Sequence, residues 1–209
     1  MIIFSAILLV FILKKAVHCQ LHETTLSMLP EDVYKRLEVV PKLIPQAPQD
    51  WCDVRFPTGT KFDKGAMVAA KAIRRRPTVT WKGEPGALYT VFMYGVNKYI
   101  NKIVMFADLI LQDFYLHWIV VNVPGNQLSA PENKITSGIE WFEFLKPLIP
   151  PYTVTHRYVI LVYKQDHPLP ENGTAIYDEG FADFPSHEVF VHNETLGEPV
   201  CGNLCIIRT

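Results

Sequence analysis

The sequence predicts a mostly β, single-domain protein, and two observations carry that prediction. Short runs of β-branched and aromatic residues recur along the chain with Gly and Pro between them, which is the pattern of strands and turns. Several of these runs are apolar on both faces, so they must be covered on both sides, as central strands in a two-layer arrangement are.

The clearest strand candidates are Thr78–Trp81, Leu88–Met93, Leu116–Asn122 and His156–Tyr163. Two segments read as helices instead. Pro30, Glu31 and Asp32 place a proline and two acids where a helix begins, with Val33 and Leu37 following at helical spacing. From Ile103 to Phe114 the polar residues reduce to Asp108, Gln112 and Asp113, which predicts a nearly all-apolar helix. Between the helices and the strands, Val40–Pro48 is proline-rich.

The chain has 209 residues, which fits one domain of the usual size of roughly 100–200 residues. No repeat, low-complexity tract or long linker divides it. Hydrophobic residues make up 49% and charged residues 20%, enough apolar material for a core and too little charge bias for disorder. Twenty Lys and Arg balance 21 Asp and Glu, for a net charge of -1. That balance gives no overall field to gather nucleic acid or an anionic membrane. The one basic run, Arg74-Arg75-Arg76 beside Pro77, reads as a solvated loop.

Met1–Leu13 is almost wholly apolar and leads through Lys14-Lys15 to a small-residue zone ending near Cys19-Gln20. It has the shape of a signal peptide, although the lysines follow the apolar stretch instead of preceding it. It is also shorter than the roughly 20 residues that span a bilayer. The expectation is a signal peptide over residues 1–19 and a folded domain over 20–209, secreted to the extracellular space without stable membrane insertion.

Removing that leader leaves Cys52, Cys201 and Cys205, an odd number in a compartment where disulfides persist. A bridge from Cys52 to one of the other two is expected, and the sequence does not choose between them. Cys201 and Cys205 have no companion pair at metal-ligand spacing, so no metal is expected. Asn172-Gly-Thr174 and Asn193-Glu-Thr195 are glycosylation acceptors consistent with a lumenal route.

Five segments then stand in order: RPTVTW at Arg76–Trp81, LYTVFM at Leu88–Met93, HWIVVNVPGN at His117–Asn126, HRYVILVYKQDHPL at His156–Leu169 and LGEPVCGN at Leu196–Asn203. With VPKLIPQAP at Val40–Pro48 upstream, this series resembles the phosphatidylethanolamine-binding protein family over nearly the whole mature chain. The resemblance implies an antiparallel β-sandwich with a few short helices and a small pocket at one end for phosphate and phospholipid headgroups. Carried over residue by residue, the pocket falls on His117, His156 and Tyr158. His156 and Tyr158 are two apart on a strand and leave one face together, while Arg157 points away as a structural donor. Two imidazoles and a phenol supply donors for phosphate oxygens, and an imidazole ordinarily charges near neutral pH.

This chain departs from the family's pattern in four places. Where the family has an Asp-Pro-Asp-x-Pro loop, it reads Gly95-Val96-Asn97, without the carboxylates that would pair with an ammonium. The apolar Ile103–Phe114 segment replaces a shorter polar connection, Val154 stands where a glycine is common, and the family's C-terminal helix is missing after Thr209. The expected function is therefore a secreted ligand-binding protein with a degenerate pocket for a small anion or phospholipid headgroup. The alternative is a protein-interaction module, such as a protease inhibitor or signalling regulator, using the Ile103–Phe114 segment. No cofactor is expected, and an enzyme is not, because no nucleophile elbow, zinc-protease, P-loop or dinucleotide motif occurs.

Overall fold

The computed structural model describes residues 29–99, 114–125, 138–147, 153–171 and 187–208. The leader, Asn172 and residues 103–113 of the apolar segment lie outside them.

Strands dominate. The eight are β1 (Asp50–Trp51), β2 (Asp53–Arg55), β3 (Thr78–Thr80), β4 (Leu88–Tyr99), β5 (Phe114–Pro124), β6 (Ile139–Phe142), β7 (Thr153–Gln165) and β8 (Pro199–Arg208). Two short α-helices join them, α1 (Pro30–Arg36) and α2 (His187–Asn193), with one 3-10 turn at Ala70–Ile73. Six strands form the main sheet in the order β1-β8-β7-β4-β5-β6, and β2 and β3 form a second, small sheet. Every pairing is antiparallel except that of β1 with β8 at the edge.

The central strands are apolar on both faces because both faces are covered. On β7, Val159, Leu161 and Tyr163 enter one core with Val33 and Tyr34 of α1 and Phe190 of α2. Tyr158, Ile160 and Val162 enter a second core with Val54 and Val79 of the small sheet. The period of two along β7 thus separates a helical layer from a β layer. Each fully buried Val, Leu or Ile on these strands stabilises the fold by about 1.5–3 kcal/mol over leaving it exposed.

α1 begins as the sequence predicts, with Pro30 in the first turn beside Glu31 and Asp32, and Lys35 and Arg36 in the last turn. Those charges complement the helix dipole at both ends. Two expectations change. Gly95-Val96-Asn97 is not a loop, because β4 continues to Tyr99 and Val96 is buried, paired with both Phe114 and Arg157. Phe114 belongs to no helix, since it opens β5.

Candidate functional site

The pocket expected from the sequence lies where β4, β5 and β7 run side by side. Gly95 of β4 stands opposite Tyr158 of β7 and Tyr115 of β5. A register shift in β5, between the pairs Met93 with Trp118 and Tyr94 with Leu116, leaves His117 without a partner in β4. Such a bulge re-aims a side chain, and here it brings the His117 ring against Tyr158, with centroids 5.4 Å apart and the rings edge to face. His156 leaves the same face as Tyr158 two residues earlier, beside Ile207 of β8.

All three side chains are closed off from solvent, with His117 6% exposed, Tyr158 1% and His156 0%. Nδ1 of His117 lies 2.9 Å from the carbonyl oxygen of Leu145. A carbonyl only accepts, so Nδ1 carries the proton, and in the neutral ring Nε2 is left as a bare acceptor. That nitrogen faces Gly95, where an added Cβ would stand 2.9 Å from it and 3.3 Å from Cε1 of Tyr158. The place where the family carries an acid is therefore enclosed by the two rings.

Burial sets the electrostatics. It pushes the His117 imidazole down to about 4, against a small upward pull from the Leu145 carbonyl. It lowers His156 and raises the Tyr158 phenol above the ordinary range. The expectation that these histidines charge near neutral pH is corrected for His117: no carboxylate offsets its desolvation, and at pH 7 it is neutral.

Arg157 faces away, as expected. It is buried, and its guanidinium donates from Nε to the Val96 carbonyl at 3.3 Å and from Nη1 to that of Leu37, with Glu38 at 3.8 Å. It ties α1 to the central sheet and contributes nothing to the pocket face.

Among the described residues, Cys52, Cys201 and Cys205 are buried thiols. Burial, with the neighbouring Cys52 thiol adding to it, holds the Cys201 thiol well above its ordinary value. Cys205 stands opposite Tyr158, away from that pair. Among the described residues, no group of three His, Cys, Asp or Glu side chains could hold a metal ion. Asn193 is exposed at the end of α2.

Two polar clusters were not legible in advance. Asn122, with φ of 55°, takes the Leu169 N–H on Oδ1 at 2.8 Å and gives Nδ2 to the Leu169 carbonyl at 2.8 Å, while Gln165 Nε2 donates to its Oδ1 at 2.9 Å. His187 stands between the hydroxyls of Tyr163, 2.7 Å from Nε2, and Tyr94, 2.9 Å from Nδ1. The PGN turn marks the first. The second joins residues distant in sequence and carries no local signal.

Comparison with known proteins agrees with this architecture. A protein from Drosophila melanogaster named "Putative odorant-binding protein A5" is 26% identical over 82% of this chain and 77% of its own length. A 26 kDa secreted antigen of Toxocara canis is 28% identical over 79% of this chain, which spans only 59% of the antigen. Among solved structures, a carboxypeptidase Y inhibitor in complex with its cognate proteinase superimposes with a TM-score of 0.66 at 16% identity, covering 86% of this chain and 95% of that one. A phosphatidylethanolamine-binding protein from Plasmodium vivax does so with a TM-score of 0.57 at 14% identity, covering 85% and 96%. These two likenesses show the fold. The family model described as Phosphatidylethanolamine-binding protein matches residues 55–197, a stretch that contains the β4, β5 and β7 strands and the His117, His156 and Tyr158 face they build. With that match added to the sandwich and its strand order, the chain belongs to the phosphatidylethanolamine-binding protein family.

Proposed function

We propose that this chain is a secreted, non-catalytic binding protein that takes a small phosphate-bearing headgroup or free anion at the face formed by Gly95, His117, His156 and Tyr158. The observation that carries this reading is the contact at Gly95. Nε2 of His117, left as an acceptor, is turned toward Gly95 beside the Tyr158 ring, where a Cβ would stand 2.9 Å from it, so no side chain at position 95 covers that acceptor.

The neutral ring constrains what binds. Nε2 accepts a proton, so a phosphate is held when one proton lies between it and the imidazole, brought by either partner. A phosphate monoester carries its own below its second pKa of about 6. Above that, His117 must be charged against burial, and affinity falls by about tenfold per pH unit. The missing loop carboxylates leave nothing for an ammonium, so phosphoethanolamine gains nothing over inorganic phosphate.

Calorimetric titration with phosphoethanolamine at pH 5 and pH 7, with inorganic phosphate at pH 5 for comparison, tests the reading, using wild type, His117→Gln and Tyr158→Phe. Tighter binding at pH 5, lost in His117→Gln, is expected. Equal affinity at the two pH values, or in wild type and His117→Gln, overturns it.

The secretory route is supported by the leader-like residues 1–19, the exposed acceptor Asn193 and the relative named a secreted antigen. N-terminal sequencing of the exported product should begin near Gln20, and a chain keeping Met1 in the membrane fraction overturns it.

A further inference from the structure

A cleft of about 650 Å³ opens on the opposite face of the main sheet, between α2, the turn that follows it and the end of β7. Its volume falls in the range of small-molecule sites. It is separate from the His117, His156 and Tyr158 face at Gly95. Tyr163, which lines it, is five residues from Tyr158 along β7, about 17 Å at 3.3 Å per residue, and enters the helical core instead of the β core.

The walls are apolar. Pro45, Val191 and Pro199 line it together with Val189, whose side chain is 46% exposed although it is large and hydrophobic. The floor is fixed. Nε2 of His187 lies 2.7 Å from the Tyr163 hydroxyl and Nδ1 2.9 Å from that of Tyr94. A neutral imidazole between two hydroxyls accepts from one and donates to the other, so neither ring is free to swing into the opening.

Asp166, Glu188 and Glu198 are exposed around the cleft beside His192, and among the described residues no lysine or arginine lines it. Other exposed carboxylates are paired, as Glu31 is with Lys35 at 2.6 Å and Glu84 with Lys164 at 2.7 Å, or stand singly, as Asp32 and Glu171 do, whereas these three border one cleft. Among the described residues none of the three at the cleft has an ion-pair partner. Lys164, adjacent to Gln165 and two residues from Asp166, is engaged by Glu84.

We propose that this cleft is a second binding site, for a small free amine with an apolar body. The alkyl or aryl group lies against Pro45, Val189 and Pro199, and the ammonium sits among Asp166, Glu188 and Glu198. An apolar wall alone would take any greasy molecule. The unpaired acidic rim selects the cation, and by the same field it rejects a fatty acid of equal size.

The test uses three probes of one chain length, hexylammonium, hexanol and hexanoate, titrated into the full mature chain at pH 7 and followed by amide chemical shifts. The expected order of affinity is hexylammonium, then hexanol, then hexanoate, with the shifts centred on Tyr163, His187 and α2. Glu188→Gln and Glu198→Gln are surface changes that leave the fold intact. Each should weaken hexylammonium about two- to fivefold, as exposed ion pairs do, and leave hexanol unchanged. Raising the salt to about 1 M should erase the preference for the cation, since the screening length there is about 3 Å. Saturating phosphate should not displace hexylammonium. The proposal is overturned if hexanol binds as tightly as hexylammonium, if neither glutamine variant weakens it, or if the shifts map to Gly95 and His117.

Discussion

Gly95 and His117 meet across a position that holds no side chain: a Cβ on the glycine would stand 2.9 Å from Nε2 of the histidine. The backbone at Gly95 lies outside the left-handed region, so space alone keeps a side chain out. The rings of His117 and Tyr158 have closed over the gap.

Restoring the acid that the family carries here should therefore be costly. Gly95→Asp forces His117 or Tyr158 to move, and overpacking of this kind costs about 1–3 kcal/mol. It also places a carboxylate beside the imidazole, which favours the charged ring and raises His117 from about 4 toward its ordinary value. Urea denaturation and an NMR titration of the histidine ring read the two effects together. A variant as stable as wild type, with His117 still titrating near 4, would show that the rings do not enclose the site.

The thiol pair yields a second prediction, which deepens the choice that the sequence leaves open. Cys201 stands opposite Asp50 in the β1 and β8 register, and its thiol neighbours that of Cys52, two residues past Asp50. Cys205 is four residues further along β8, about 13 Å away at strand spacing. If the chain matures where thiols oxidise, Cys52 joins Cys201 and Cys205 stays a thiol. Peptide mapping of the exported protein without reduction decides it: three free thiols, or a crosslink to Cys205, refutes the pairing.

How much of this was legible varies with the range of the interaction. β7 was plain because each residue from Tyr158 to Tyr163 is apolar or aromatic, and a strand buried on both faces must read that way. The shared face of His156 and Tyr158 followed from the period of two. β1 and β2 are two and three residues long, too short for a period to show. Gly95-Val96-Asn97 misled because it stands where the resemblance places a loop, whereas pairing on both sides, with Phe114 and Arg157 flanking Val96, holds that stretch extended. The tautomer of His117 depends on the Leu145 carbonyl, 28 residues away, and its neutral state on a burial that no local pattern announces. The amine cleft lies further still from the sequence, since Pro45, Tyr163 and Glu188 come together only when α2 packs on the sheet.

Three buried histidines, His117, His156 and His187, each lowered by burial, make the fold sensitive to acid. Burial holds His117 at about 4 and His187 at about 3 in the folded chain, whereas both titrate near 6.5 when unfolded. Between those values the unfolded chain binds more protons than the folded one, so stability is complete above about pH 6.5 and falls as pH falls. The loss from His117 is about 3 kcal/mol by pH 4, and His187 adds a comparable or larger amount. Together they rival the whole stability of a typical domain, about 5–15 kcal/mol. Urea midpoints should decline steadily from pH 6.5 to pH 4.5, with unfolding in the absence of denaturant near pH 4. His187→Gln breaks the hydrogen bonds to Tyr163 and Tyr94 and is less stable at pH 7, but its decline with acid should be shallower, because one of the proton-linked groups is gone. A wild-type midpoint that stays level between pH 6.5 and pH 5, or a variant as acid-sensitive as wild type, would mean that these imidazoles gain protons without unfolding and that the core around them opens more readily than its packing implies.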